Sequence, residues 1–245
     1  MVRVTGWLMI IPIHKRFLRH LTLLVPDPAA ARNACLAAAF LTALAASPAG
    51  AAPLSFDEGW KEQGFLRLWT NDYAPDGTRL RITSDGTVSL FYRAMPRTLW
   101  QAKKARWQWM VEQSVIATDL ARKGGDDRNL AVYFVFADEA VARRLSRASA
   151  ARLMRHKGTR ALIYVWGGSE PPGTILPSPY GKGRLKTVVQ RPAGTGSFRE
   201  SVDLIADYRR AFGQEPGVLV GVAISADSDD TAGRIRAEIR DLELF

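Results

Sequence analysis

The sequence predicts a mainly β fold, an antiparallel β-sandwich with two accessory helices, and three observations carry that reading. Residues 130–136, 161–166 and 218–225 are apolar almost throughout, rich in β-branched and aromatic side chains, and too short for free-standing helices. Strands covered on both faces read this way. Residues 105–112 instead alternate, with Trp107, Trp109 and Val111 on one face and Arg106, Gln108, Met110 and Glu112 on the other, as a strand with one buried side does. Turn formers punctuate these runs: Ser84-Asp85-Gly86, Gly124-Gly125-Asp126-Asp127 and Gly167-Gly168.

At 245 residues, 47% of them hydrophobic, the chain is long enough for one sizeable core. Residues 1–52 read as a signal peptide with a long leading region. Arg32-Asn33 precedes an apolar run over 34–46, too short to span a bilayer, and Ser47-Pro48-Ala49-Gly50-Ala51-Ala52 follows. Cleavage is expected near Ala51 or Ala52, leaving 53–245 as a single periplasmic or secreted domain without a transmembrane segment. The formal charge of +10 falls over that domain to +6, with 29 basic and 23 acidic residues. That moderate excess does not point to nucleic acid. Cys35, the one cysteine, lies in the leader, so the mature chain is expected to rely on its core rather than on disulfides.

After the leader, Trp60 and Phe65 are expected to anchor the first mixed segment. Residues 79–83 and 87–93 flank Ser84-Asp85-Gly86, which predicts a hairpin. The central strand 130–136 follows the polar turn Lys123-Gly124-Gly125-Asp126-Asp127-Arg128-Asn129. Residues 138–156 are expected to form a very basic helix, carrying Arg143, Arg144, Arg147 and Arg155 around its apolar stripe. Strand 161–166 leads into a proline-rich loop over 170–183 that holds Tyr180, and 185–190 resumes a strand. Ser197 and Glu200 have capping-box spacing, predicting a second helix that Gly213 and Pro216 end. Strand 218–225 and the acidic turn 226–233 precede a last strand, where a bulge near Arg240-Asp241 would keep one face apolar.

Several familiar chemistries are poorly supplied. Beyond the leader the only histidine is His156, which argues against a Ser-His-Asp triad and against a multi-histidine metal centre. No phosphate-binding or dinucleotide-binding glycine pattern is present. What remains is acidic: Asp126 and Asp127 precede one apolar strand, and Asp227, Asp229 and Asp230 follow another. If those strands are antiparallel neighbours, both clusters meet at one end of the sheet. There Asp127, Asp227 and Asp229 are weak candidates for calcium, although Thr231 and Ala232 break the linear calcium-loop pattern. No cofactor is otherwise expected. Trp107 and Trp109 are either core residues, the commoner cause of such spacing, or a stacking platform for sugar rings. The arginines of 143–160 are either a solvated helix face or an electrostatic patch.

Taken in order, Trp107-Gln108-Trp109, Lys123-Gly124-Gly125-Asp126-Asp127, Tyr133 with Phe136, Tyr164-Val165-Trp166-Gly167, Asp207-Tyr208-Arg209-Arg210-Ala211-Phe212-Gly213 and Asp227-Ser228-Asp229-Asp230-Thr231 resemble the domain-of-unknown-function family numbered 3047. The resemblance runs from about Trp60 to Phe245. It implies an exported bacterial protein with a jelly-roll or galactose-binding-like sandwich, and it supplies no catalytic residues. The family pattern carries an arginine shortly after the Asp-Asp pair, inside the strand, where this chain has Leu130-Ala131. The expected function is a non-catalytic carbohydrate-binding module for a glycan or cell-envelope polysaccharide, with Trp107, Trp109, Asp126, Asp127, Tyr180, Asp227 and Asp229 as ligand-binding residues. Two alternatives stand beside it: a hydrolase or lyase acting on envelope polysaccharide through the acidic clusters, and a structural envelope protein docking an anionic partner.

Overall fold

The computed structural model describes residues 52–64, 69–145 and 149–245; residues 1–51 of the expected signal peptide, Cys35 among them, Phe65 and Arg147 lie outside them. In chain order the elements are β1 (Lys61–Gly64), β2 (Asp72–Asp76), β3 (Arg79–Asp85), β4 (Ser89–Ala94), β5 (Lys104–Gln113), β6 (Arg128–Ala137), α1 (Glu139–Leu145), α2 (Ala150–Arg155), β7 (Thr159–Gly167), β8 (Ile175–Pro177), β9 (Leu185–Arg191), β10 (Gly196–Asp203), α3 (Leu204–Phe212), β11 (Val218–Asp227) and β12 (Arg234–Leu244). The strands form a seven-stranded sheet, in the order β1-β4-β11-β6-β7-β9-β8, and a five-stranded sheet, β10-β5-β12-β3-β2. Neighbours are antiparallel except β7 and β9, which run parallel. The mainly β sandwich is therefore present, with helix in the two places expected, the first of them in two pieces.

The three apolar runs are the three central neighbours β11, β6 and β7 of the larger sheet, which is why both of their faces are buried. The alternating strand β5 presents Trp107 and Trp109 inward, each 1% exposed. Their rings meet Tyr164 at 5.7 Å and Trp166 at 5.6 Å across the sandwich. Burying two such side chains contributes roughly 3 kcal/mol or more apiece. Trp60 anchors the first segment by stacking on Phe91 at 5.3 Å.

Two local expectations are corrected. The Asp85-Gly86 turn does not close a hairpin, because β3 pairs with β2 and β12 while β4 pairs with β1 and β11. Gly86, at φ +63°, turns the chain from one sheet into the other. Ser84 Oγ holds that corner by donating to the Thr87 carbonyl at 2.8 Å, and Thr87 Oγ1 donates to Asn71 at 2.7 Å. A turn signal fixes a reversal but not which sheet receives the next strand. The second correction concerns Ser197 and Glu200, which lie in β10, paired with β5 along its length. The helix begins only at Leu204, where Asp203 accepts from the amides of Ile205 at 3.1 Å and Ala206 at 2.9 Å. The expected stop is present, with Gly213 left-handed at φ +66°. The expected bulge in the last strand is present too: the pairing of β12 with β5 slips between Arg240 and Glu243.

Candidate active site

The antiparallel pairing of β6 with β11 sets Asp227 opposite Arg128, so the two acidic clusters meet at one end of the larger sheet. Several features fix the approach. Gly124 takes a left-handed φ of +72° in the turn before β6. Thr118 Oγ1 donates to the Asp127 carbonyl at 2.7 Å, and Asn129 Oδ1 accepts from the Val115 amide at 2.9 Å. Gly167 lets β7 pass beside Arg128, since a Cβ there would sit 2.7 Å from the arginine's own Cβ.

Arg128 is the centre of the cluster. Its Nη1 donates to the Asp126 carbonyl at 2.8 Å and to Asp126 Oδ2 at 3.0 Å. Its Nη2 donates to the Tyr133 hydroxyl at 3.0 Å and lies 3.3 Å from Asp227 Oδ2. Burial acts against its charge, but Tyr133, Asp227 and Asp126 outweigh it and hold the guanidinium above its ordinary value. Tyr180, on the proline-rich loop, is 53% exposed, yet its hydroxyl donates to Asp126 Oδ1 at 2.9 Å. Burial and that bond push the phenol up, and Lys123 Nζ stands 5.9 Å from the ring centroid.

Asp227 is the second carboxyl group on this guanidinium. Burial pushes it up to about 8, against the pull of Arg128, with Asp229 and Asp127 adding to the rise and Asp229 sharing a hydrogen bond with it. Asp227 Oδ1 and Arg128 Nε are both buried without a hydrogen-bond partner. Leaving such groups unsatisfied costs on the order of 1–3 kcal/mol each.

Of the residues expected to bind ligand, Asp126, Asp127, Asp227, Asp229 and Tyr180 are brought to this one end of the sheet; Trp107 and Trp109 are not. Both tryptophans are core, and no sugar ring has access to their faces. Asp127 is fully buried and accepts from the Asp230 amide at 3.2 Å, the Thr231 amide at 2.8 Å and Thr231 Oγ1 at 2.5 Å. One carboxylate oxygen from each of Asp127, Asp229 and Asp230 falls within 4.8 Å of the others, and Asp127 enters that trio with its lone pairs engaged by the turn; Asp227 is not part of it. Arg128 was missed, although the sequence held a signal for it: a cation between an acidic pair and a wholly apolar strand has to be paired once buried. It also supplies a guanidinium beside the Asp-Asp pair, from two residues before Leu130-Ala131.

The two sheets define the class, a mainly β sandwich, and the Arg128 cluster lies at the end of the larger sheet. The chain belongs to the protein family of unknown function DUF3047, whose model matches residues 58–243. No curated protein matches it. Among solved structures it is similar to the xyloglucanase domain of NopAA, a type three effector from Sinorhizobium fredii, in complex with cellobiose, at 9% identity over 76% of this chain and 92% of that one, TM-score 0.42. It is also similar to a thermo-stable cellulase derived from Cel12A of Rhodothermus marinus, at 14% identity over 76% and 95%, TM-score 0.41. A third is the family 11 xylanase from Neocallimastix patriciarum, at 11% identity over 79% and 94%, TM-score 0.38. The expected non-catalytic carbohydrate-binding module is corrected: the tryptophans that were to stack on sugar rings, Trp107 and Trp109, are core residues, each 1% exposed. No helix among the described residues is long and apolar enough to cross a membrane.

Proposed function

We propose that the mature chain is an exported enzyme that cleaves a glycosidic bond by acid–base chemistry, with Asp227 as the acid and Asp126 as the base. The observation that supports this reading is the contrast between two carboxyl groups on one guanidinium. Asp227, pushed up to about 8, keeps its proton at neutral pH, while Asp126 pairs with Arg128 as the carboxylate. A buried carboxyl group that keeps its proton, set beside an ion-paired carboxylate, gives one site both an acid and a base. In the step itself, Asp227 gives its proton to the departing glycosidic oxygen and Asp126 takes one from the attacking water. Solvent then exchanges the two protons back. Arg128 holds both carboxyl groups in place, and exposed Tyr180 offers an aromatic face beside them.

Asp227→Asn mimics the neutral carboxyl group in shape but has no proton to give, so it separates chemistry from folding. Release of reducing ends from soluble xylan, β-glucan and polygalacturonate is the measurement. For whichever polymer the wild type cleaves, the variant is expected to be slower by about 10²-fold or more with an undiminished melting temperature, and wild-type activity should decline above about pH 8. A wild type that cleaves none of them, or a variant as fast as the wild type, would sink the proposal.

A further inference from the structure

The five-stranded sheet carries on its exposed face a feature that the carboxyl cluster does not use. Register places Arg199 of β10 beside Gln108 of β5, Gln108 beside Arg240 of β12, and Arg240 beside Arg79 of β3. Three arginines and one glutamine thus form a single row across four strands, about 14 Å long at the usual strand spacing. Like charges directly opposite one another destabilise a sheet, so Arg240 facing Arg79 runs against folding preference. Asp76 offsets Arg79 at 2.5 Å. Arg199 and Arg240 make no ion pair among the described residues, and Glu238, opposite Arg81, is an acid one row away.

Arg240 is also held in position. Gln108 Oε1 accepts from its Nη2 at 3.1 Å, and Gln108 Nε2 donates to Asp241 Oδ2 at 3.1 Å. Asp241 Oδ1 accepts from Thr78 Oγ1 at 3.0 Å. Asp241 sits in the left-handed region at φ +53°, a conformation that disfavours side chains other than glycine and is better tolerated by Asp and Asn. The bulge therefore places a carboxylate where it fixes the glutamine that aims the arginine.

We propose that this row is a binding surface for an acidic polysaccharide, separate from the carboxyl cluster. Planar guanidinium groups match carboxylates and sulfates bidentately. Exposed Ser197 and Ser201 on the neighbouring edge strand add hydroxyl groups of the kind that bond sugars. The row holds no aromatic side chain on which nucleic-acid bases would stack, and no large apolar side chain to enter a lipid surface.

The test is titration of the full chain with polygalacturonate, with its methyl ester, with a single-stranded oligonucleotide and with phosphatidylglycerol vesicles. Polygalacturonate is expected to bind, and to weaken steeply as salt rises from about 0.05 to about 0.5 M, while the methyl ester does not bind. Arg199→Gln with Arg240→Gln should weaken binding at least about tenfold at unchanged melting temperature. Gln108→Ala, which keeps every charge but releases Arg240, should weaken it several-fold, a loss that charge alone does not explain. Asp227→Asn should bind as the wild type does, so this surface stands or falls apart from the proposed catalysis. Failure of polygalacturonate to bind, equal binding of its methyl ester, tighter binding of the oligonucleotide or the vesicles, or an undiminished double variant would each overturn the inference.

Discussion

Asp126, Asp127 and Asp227 are the same residue type at one end of one sheet, and their surroundings give them different work. Asp127 receives three hydrogen bonds from Asp230 and Thr231, tying the start of β6 to the turn between β11 and β12. Asp127→Ala leaves those donors unmatched in a fully buried place and should destabilise the fold by about 3 kcal/mol, read as a lower denaturant midpoint at unchanged slope. Asp227→Asn should not show that loss, because burial pushes the Asp227 carboxyl up to about 8 and Asn keeps its neutral shape. The two substitutions separate a structural carboxylate from the proposed catalytic one. Sequence alone lists these aspartates together, since an acid next to Gly-Gly reads as a former of its own turn. Asp127 instead organises a turn about a hundred residues further on, and only the pairing of β6 with β11 reveals it. Likewise the period-two spacing of Trp107 and Trp109 is legible, but whether that face meets core or solvent depends on the opposing sheet.

At the scale of elements, buried strands were legible because their composition is one-sided: residues 130–136 and 218–225 have no polar face to turn outward. Connections were less so. The reversal at Gly86 is plain in the sequence, yet its two strands join different sheets, and the hydrogen bonds of Ser84, Thr87 and Asn71 that stabilise the crossing link residues whose meeting requires the finished fold. The helix start shows the same competition. Ser197 and Glu200 have capping spacing, but β10 completes the open edge of β5, and Glu200 accepts from Trp109 Nε1 at 3.0 Å. Asp203 is then the cap. Asp203→Ala should cost about 1 kcal/mol, whereas Ser197→Ala should leave stability within about 0.5 kcal/mol; paired thermal melts followed by circular dichroism check both.

At the scale of the molecule, the buried acid makes stability a function of pH. In the unfolded chain Asp227 titrates near the ordinary value of 3.8; in the fold it is pushed up to about 8. Between those limits the folded state holds a proton that the unfolded state has lost, so the slope of stability against pH is negative for this group. Its contribution is fully present below about pH 4, fades as pH rises, and is gone above about 8. One proton corresponds to a slope of at most about 1.4 kcal/mol per pH unit. Asn at this position does not titrate, so in Asp227→Asn that component should vanish: urea midpoints measured from pH 4 to 9 should converge on or overtake the wild-type values as pH rises. Parallel pH profiles of the two proteins would instead mean that Asp227 is ionised in the fold. In that event Arg128 would outweigh burial, and the proposed acid would have no proton to give at neutral pH.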